Sequence, residues 1–177
     1  MGYDANLHHR RSIRLRGYDY TQAGAYFVTL CTRDRACILG EVDNGRVNLT
    51  AFGHIVAASW QDLPSHYPFV TLDAFVVMPN HVHGIIMINA NVPVGAGLKP
   101  APTIARNHAL PEIVRALKTF SARRINALRQ TPGTPVWQRN YYEHVVRTEG
   151  DLNRIREYIL ANPLQWAHDE ENPARIP

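Results

Sequence analysis

Cysteine is scarce in this chain of 177 residues, and long apolar runs are absent. Cys31 and Cys37 are the two cysteines and form no Cys-x-x-Cys pair, which indicates a reducing compartment and argues against a thiolate metal site. No apolar run approaches the roughly 20 residues of a membrane-spanning helix, and no apolar segment follows the N-terminal arginines as in a secretory signal. We therefore expect a cytoplasmic protein that does not enter a membrane, with residues 1–177 in one domain.

Acidic residues are slightly outnumbered, because 15 of them face 19 basic residues and leave a formal net charge of +4. A basic excess favours a polyanionic partner, and its placement matters more than its size. Residues 1–20 are basic and aromatic, which suits either an extended arm along a phosphate backbone or a solvated tail. Residues 106–129 hold one acid, Glu112, whereas the tail Asp169-Glu170-Glu171 is acidic. The basic side chains of 106–129 are Arg106, Arg115, Lys118, Arg123, Arg124 and Arg129.

Hydrophobic periodicity predicts the order of helices and strands. Strands are predicted at 26–32, 69–78, 81–88 and 142–147, with a short hairpin around Asn44-Gly45. Helices are predicted at 50–63, 111–129 and 151–161, the last ended by Pro163. The segment 89–108 is rich in proline and glycine without periodicity, so we expect a flexible connection. The order β-α-β-β-α-β predicts an α+β, ferredoxin-like fold: an antiparallel sheet with helices on one face, followed by a C-terminal helix.

Two of the helices carry apolar stripes that would bury them. On the helix at 111–129 the expected stripe is Ile113, Leu117, Phe120 and Leu128. On the C-terminal helix the residues expected to dock it are Leu152, Ile155, Ile159 and Leu160. Tyr158 and Asn162 stand four residues apart on that helix and therefore share a face at the flank of this stripe. Taken singly, each also suits a plainer role, a boundary tyrosine or the helix-end residue before a proline.

The pair His81 and His83 interrupts what otherwise reads as a buried strand. Side chains alternate along a strand, so both imidazoles share one face while Val82 points into the core. Two neighbouring imidazoles make half of a metal site. Taken alone, a His-x-His pair also suits two ordinary histidines at a strand edge, so the prediction depends on its context.

Three motifs together resemble the REP-associated tyrosine transposases, a branch of the single-tyrosine HUH transposases. They are Met78-Pro79-Asn80-His81-Val82-His83, then Trp137-Gln138-Arg139-Asn140-Tyr141-Tyr142-Glu143-His144 with Arg147, and Tyr158-x-x-x-Asn162-Pro163. The resemblance implies a ferredoxin-like domain with a tyrosine helix at 148–162. It also implies metal binding by His81 and His83, a third ligand at Asn162, and Tyr158 as the nucleophile.

The chemistry of these side chains fits that implication. A tyrosine hydroxyl with an ordinary pKa of about 10 is a weak nucleophile at neutral pH, so it needs a phosphodiester polarised by a cation. Two nitrogens and one amide oxygen with open positions suit Mg²⁺ or Mn²⁺ better than a closed zinc site. Together with this chemistry, the resemblance implies a metal-dependent DNA transposase or endonuclease that cleaves and rejoins single-stranded or hairpin, REP-like DNA through a 5′-phosphotyrosine intermediate.

The DNA is expected to contact basic and aromatic side chains outside the metal site. The expected contacts are Arg115, Lys118, Arg123, Arg124, Arg139, Tyr141 and Arg147. Trp137 and Tyr142 suit either base stacking or the core. Two other functions stay open, a non-catalytic protein that binds hairpin nucleic acid and a metal-dependent nuclease that uses water. The sequence does not choose between a monomer and a homodimer.

Overall fold

The computed structural model describes residues 18–90 and 109–175. Its strands are β1 (Gly24–Cys31), β2 (Gly40–Asp43), β3 (Arg46–Leu49), β4 (Val70–Val77), β5 (His81–Ile88) and β6 (Tyr142–Val146). Its α-helices are α1 (Ala51–Gln61), α2 (Leu63–His66), α3 (Leu110–Leu128) and α4 (Glu149–Gln165), and short 3-10 turns follow β1 and α4. The arm expected at 1–20 and the connection expected at 89–108 lie, apart from their inner ends, outside the described residues.

Four strands form one antiparallel sheet in the order β4-β5-β1-β6. The pair β2 and β3 forms a separate hairpin, with Asn44 and Gly45 at positive φ in its turn. Apart from that hairpin and the short α2, the chain runs β1-α1-β4-β5-α3-β6. This order and the all-antiparallel pairing are those of the ferredoxin-like fold, so the predicted fold class is confirmed.

The two faces of the sheet are covered by different helices. Residues Tyr26, Val28 and Leu30 of β1 belong to the main core, which α1 and α3 complete. The alternate residue Phe27 points to the other face, where it joins a small cluster with α4. That cluster consists of Phe27, Ile85, Leu152 and Ile159. The C-terminal helix is therefore held on its own face of the sheet by few buried side chains.

The buried stripe of α3 differs from the predicted one. Ile113 and Leu117 are buried as expected, but Phe120 is 49% exposed and Leu128 is 55% exposed. The buried stripe instead continues from Leu117 to Ser121 and Ile125, in steps of four residues. In a helix of 3.6 residues per turn, side chains four residues apart lie on nearly the same face. Phe120 lies beyond the edge of the stripe and stacks on the ring of His66.

Helix α4 also departs from its prediction in two respects. It continues through Pro163 to Gln165, because a proline removes a single backbone donor and a terminal turn tolerates that loss. Leu160 is 70% exposed, whereas Ile159 is fully buried. Within residues 18–90 and 109–175, no helix combines the length and the apolar character needed to cross a bilayer.

Candidate metal and tyrosine site

The two histidines of β5 lie side by side beneath α4. His81 is fully buried and His83 is 3% exposed, and their ring centroids are 4.4 Å apart. Burial lowers the pKa of His83 well below its ordinary value, and the neighbouring His81 lowers it further. Burial also lowers the pKa of His81, although Asp169 and Glu171 oppose that change. Both imidazoles are therefore neutral at physiological pH, which is the form that binds a metal.

Neighbouring side chains hold the Nδ1 atom of each ring. The amide nitrogen of Asn80 donates to the backbone oxygens of Arg35 and Glu171, so its oxygen is the atom that lies 2.9 Å from His81 Nδ1. His81 Nδ1 must then carry the proton, which leaves Nε2 with a free lone pair. Thr29 Oγ1 lies 2.8 Å from His83 Nδ1. Contacts of this kind orient metal-binding histidines and set their tautomer.

Asn162 and Asp169 complete the site from α4 and the segment that follows it. Asn162 is 1% exposed, and its amide nitrogen donates to Asp169 Oδ2 over 2.9 Å. Its oxygen Oδ1 and His81 Nε2 are both buried without a hydrogen-bond partner among the described residues. Unpaired buried acceptors are costly, and a cation would satisfy both of them. Ligand atoms of His81, His83 and Asp169 lie within 4.8 Å of one another, so this group has the geometry to hold a metal ion.

Asp169 was not predicted as a site residue. In the sequence it is one of three consecutive acids, and no periodicity relates it to the histidines. The structure brings it there because the chain turns back after α4. Arg35, in the 3-10 turn after β1, pairs with Glu171 over 3.0 Å and donates to the backbone oxygen of Glu170. Asn80, just before β5, donates to the backbone oxygen of Glu171, so residues 169–171 are held beside both segments.

The hydroxyl of Tyr158 reaches the same place from α4. It lies 3.2 Å from His83 Nε2, and the residue is 43% exposed. Burial raises the pKa of Tyr158 to about 12, and Asp169 adds to that rise. A hydrogen bond with Asn162 has the opposite effect. The phenol is thus a poor nucleophile until nearby positive charge offsets the acids.

Of these groups, His83, Tyr158 and Asp169 line a cleft of about 860 Å³ on the α4 face, and His81 and Asn162 are buried beside it. Its walls are Phe27, Thr29, His83, Tyr142, Tyr158, Gln165, His168, Asp169, Glu170 and Glu171. The Phe27 ring is stacked on His83 at 5.5 Å and meets the ring of Tyr158 edge-on at 6.1 Å. Arg156 ties α4 to the bulged part of β4 through two hydrogen bonds to the Asp73 carboxylate, of 2.8 and 2.7 Å.

Four of the residues predicted to contact DNA line a second cleft of about 520 Å³. They are Arg115, Lys118, Arg139 and Tyr141. The two arginines are exposed. Lys118 instead donates to the backbone oxygens of Gln138 and Asn140 over 2.9 and 2.8 Å and lies over the Tyr141 ring. These two hydrogen bonds hold the loop before β6, and burial lowers the pKa of Lys118 to about 8.

The remaining three predicted DNA contacts lie apart from that cleft. Arg124 Nη1 is 3.5 Å from the carboxylate of Asp62 at the end of α1. Arg123 lines a different depression near the end of α3, and Arg147 is exposed just after β6. The structure therefore does not bring all the predicted basic side chains to one surface.

Comparison with known proteins agrees with the resemblance that the motifs indicate. No family profile matches the chain. The chain is 38% identical over 177 residues to an uncharacterised protein of Haemophilus influenzae, covering 95% of this chain and 96% of that protein. It is 27% identical over 153 residues to a second protein of that organism, provisionally named as a REP-associated tyrosine transposase, covering 86% of this chain and 77% of that protein. The solved structure of a REP-associated tyrosine transposase bound to a REP hairpin matches with a TM-score of 0.59 at 19% identity. That match covers 86% of this chain and 73% of the other, and it shows a shared fold.

Proposed function

We propose that this chain, which resembles the REP-associated tyrosine transposases in motifs, sequence and fold, is a transposase of that kind and cleaves and rejoins single-stranded or hairpin DNA through Tyr158. The observation that carries this proposal is the position of the Tyr158 hydroxyl, 3.2 Å from His83 Nε2. Two unsatisfied buried acceptors, His81 Nε2 and Asn162 Oδ1, lie in the same site. A purely binding module has no need for a nucleophile and a set of metal ligands in one cleft.

We propose that a divalent cation is held by the ring nitrogens of His81 and His83, the amide oxygen of Asn162 and the carboxylate of Asp169. Neutral nitrogen and hard oxygen donors of this kind suit Mg²⁺ or Mn²⁺. When bound, the cation supplies Lewis-acid polarisation of the scissile phosphodiester. Thr29 and Asn80 fix the two imidazoles, so the ligands are in place before DNA arrives.

The covalent step exchanges one phosphodiester for another. The Tyr158 oxygen bonds to phosphorus and loses its proton to solvent, while the bond from phosphorus to the 3′-oxygen breaks and that oxygen takes up a proton. The product is a 5′-phosphotyrosine and a free 3′-hydroxyl. Because the bond energy is retained, a second 3′-hydroxyl can attack the adduct and rejoin the strand. Phe27 holds the nucleophile's ring edge-on at 6.1 Å.

We propose that DNA reaches this cleft from the second, basic one. Arg139 and Tyr141 line the basic cleft, whereas the next residue, Tyr142, lines the catalytic cleft. The two clefts thus flank the beginning of β6, and a strand whose phosphates lie along Arg115 and Arg139 would pass over that edge toward Tyr158. Arg123, Arg124 and Arg147 stay predictions for contacts with the rest of a hairpin.

The experiment is a search for a covalent adduct. The protein is incubated with Mn²⁺ and a labelled pool of hairpins with single-stranded flanks, and label that stays with protein on a denaturing gel is recovered and sequenced. We expect an adduct with the wild type and none with Tyr158→Phe. Tyr67→Phe is the matched control, because Tyr67 packs against the main core and lines neither cleft, so this variant should form the adduct normally.

Each other outcome identifies a different function. Hairpin binding without any adduct in the wild type would contradict the proposal and favour a non-catalytic binding protein. Cleaved DNA that appears equally with wild type and Tyr158→Phe would favour a nuclease that uses water. An adduct that survives Tyr158→Phe but not another tyrosine change would move the nucleophile to that residue.

A further inference from the structure

We propose that Tyr142, supported by Phe27, forms a subsite in which one unpaired nucleobase next to the scissile phosphate stacks on the Tyr142 ring. This inference rests on the proposed function, since it concerns how that DNA is placed for attack. It names a chemical class, a neutral aromatic base, and a position, the side of the catalytic cleft that faces β6.

The register of the sheet places Tyr142 in line with the catalytic groups. Thr29 of β1 is paired with His83 on one side and with Tyr142 on the other. Directly paired residues in antiparallel strands point to the same face, so His83, Thr29 and Tyr142 form a row across three strands on the α4 face. Neighbouring strands are about 4.8 Å apart, which puts Tyr142 about 10 Å from His83.

Exposure separates Tyr142 from Phe27, the aromatic side chain beside it in the cleft. Tyr142 is 45% exposed although it lines the cleft, whereas Phe27 is 7% exposed. The two rings meet at 6.1 Å with an interplanar angle of 68°, so Phe27 supports the tyrosine edge-to-face and does not stack flat upon it. Phe27 in turn contacts both His83 and Tyr158, so a single buried ring fixes the distance from the stacking surface to the reacting groups.

The other two aromatic side chains of the motif are engaged elsewhere. Trp137 is 7% exposed, and its ring nitrogen donates to Ser121 Oγ over 3.0 Å, so it belongs to the core. Tyr141 points to the opposite side of β6, where Lys118 lies over its ring at 5.6 Å. Of the three, Tyr142 is the one whose ring faces the catalytic cleft.

Charge favours a base over a phosphate as the occupant of this subsite. Asp169, Glu170 and Glu171 line the same cleft, and their carboxylates repel a phosphate that no cation neutralises. A base carries no charge and presents a π-face, and aromatic side chains bind such faces with little regard to sequence. A subsite of this kind would select DNA that is unpaired at that position.

The test is an abasic scan of a bound hairpin. Tyr158→Phe protein, which keeps the ring but not the hydroxyl, is titrated with a labelled hairpin selected from the same pool by binding on a native gel, and single nucleotides of its flanks are replaced one by one by abasic sites. We expect one flanking position at which loss of the base weakens binding by about 5- to 150-fold, the range of base–aromatic stacking. Adding Tyr142→Ala or Tyr142→Leu should remove that penalty, whereas Tyr142→Phe should preserve it.

The leucine variant keeps a bulky side chain on the strand, so a loss seen with it cannot be assigned to a damaged edge strand if its melting curve matches the parent. An abasic penalty that persists unchanged in both the alanine and the leucine variants overturns the inference. Loss of the adduct when Tyr142→Phe is introduced into protein that keeps Tyr158 also overturns the inference. In that case the Tyr142 hydroxyl, and not its ring, would be the required group. Since binding is measured without cleavage, failure of the adduct assay in the wild type would refute the proposed chemistry separately.

Discussion

The attachment of α4 offers a sharp test, because two adjacent residues that the sequence treats alike differ in the structure. Ile159 is fully buried in the small cluster with Phe27, Ile85 and Leu152, whereas its neighbour Leu160 is 70% exposed. We predict that Ile159→Ala destabilises α4 and that Leu160→Ala does not. Since Tyr158 adjoins Ile159, the first change should also disturb the proposed nucleophile.

The magnitude follows from the groups removed. Ile159→Ala deletes three buried carbons, worth about 0.8 kcal/mol each by transfer, and the residual cavity adds to that, so we expect a loss of about 3 kcal/mol. For a domain of this size that corresponds to a fall in Tm of about 6–12 °C if α4 unfolds with the rest. Leu160→Ala removes exposed carbons and replaces one good helix former by another, so its effect should stay within about 0.5 kcal/mol.

Hydrogen exchange distinguishes global unfolding from local opening of α4. If α4 opens by itself, its amides should exchange on the order of 10²-fold faster in Ile159→Ala, while those of β1 and β5 keep their protection. Adduct yield should fall with Ile159→Ala and stay at the parent level with Leu160→Ala. Equal losses of Tm in the two variants, or unchanged exchange in α4 together with an unchanged Tm, would refute the account of how this helix is held.

Two further predictions concern other parts of the fold. Gly84→Ala should cost about 1–3 kcal/mol in urea denaturation, because its Cβ would lie 2.3 and 2.5 Å from ring carbons of the fully buried Trp60. Gly150→Ala, with no atom within 4 Å of the added carbon, should be neutral or stabilising, and equal losses in the two would show that steric contact is not the cause. The ε-carbon signal of Lys118 should titrate near pH 8 in carbon NMR, with Lys118→Arg as the assignment control. Because the unfolded lysine keeps its proton to about pH 10.4, stability relative to Lys118→Met should rise between about pH 8 and that value, and a flat difference would contradict the lowered pKa.

The resemblance to a family rested on short motifs, and much of the fold could be predicted with them. Alternation along β5 was enough to place His81 and His83 on one face, and the four-residue spacing was enough to place Tyr158 and Asn162 together. Both follow from the geometry of a single strand or helix, which depends on backbone periodicity alone. The ferredoxin-like order followed from the succession of such elements.

The tertiary structure alone decided which elements meet. Asp169 enters the site because a turn after α4 is held by Arg35 and Asn80, residues far away in sequence. Alternation points the adjacent Tyr141 and Tyr142 to opposite sides, but only the packing of α3 on one side and α4 on the other makes a different cleft for each. Periodicity tells where a side chain points relative to its own element, but contacts between distant segments depend on loops and packing that no local pattern encodes.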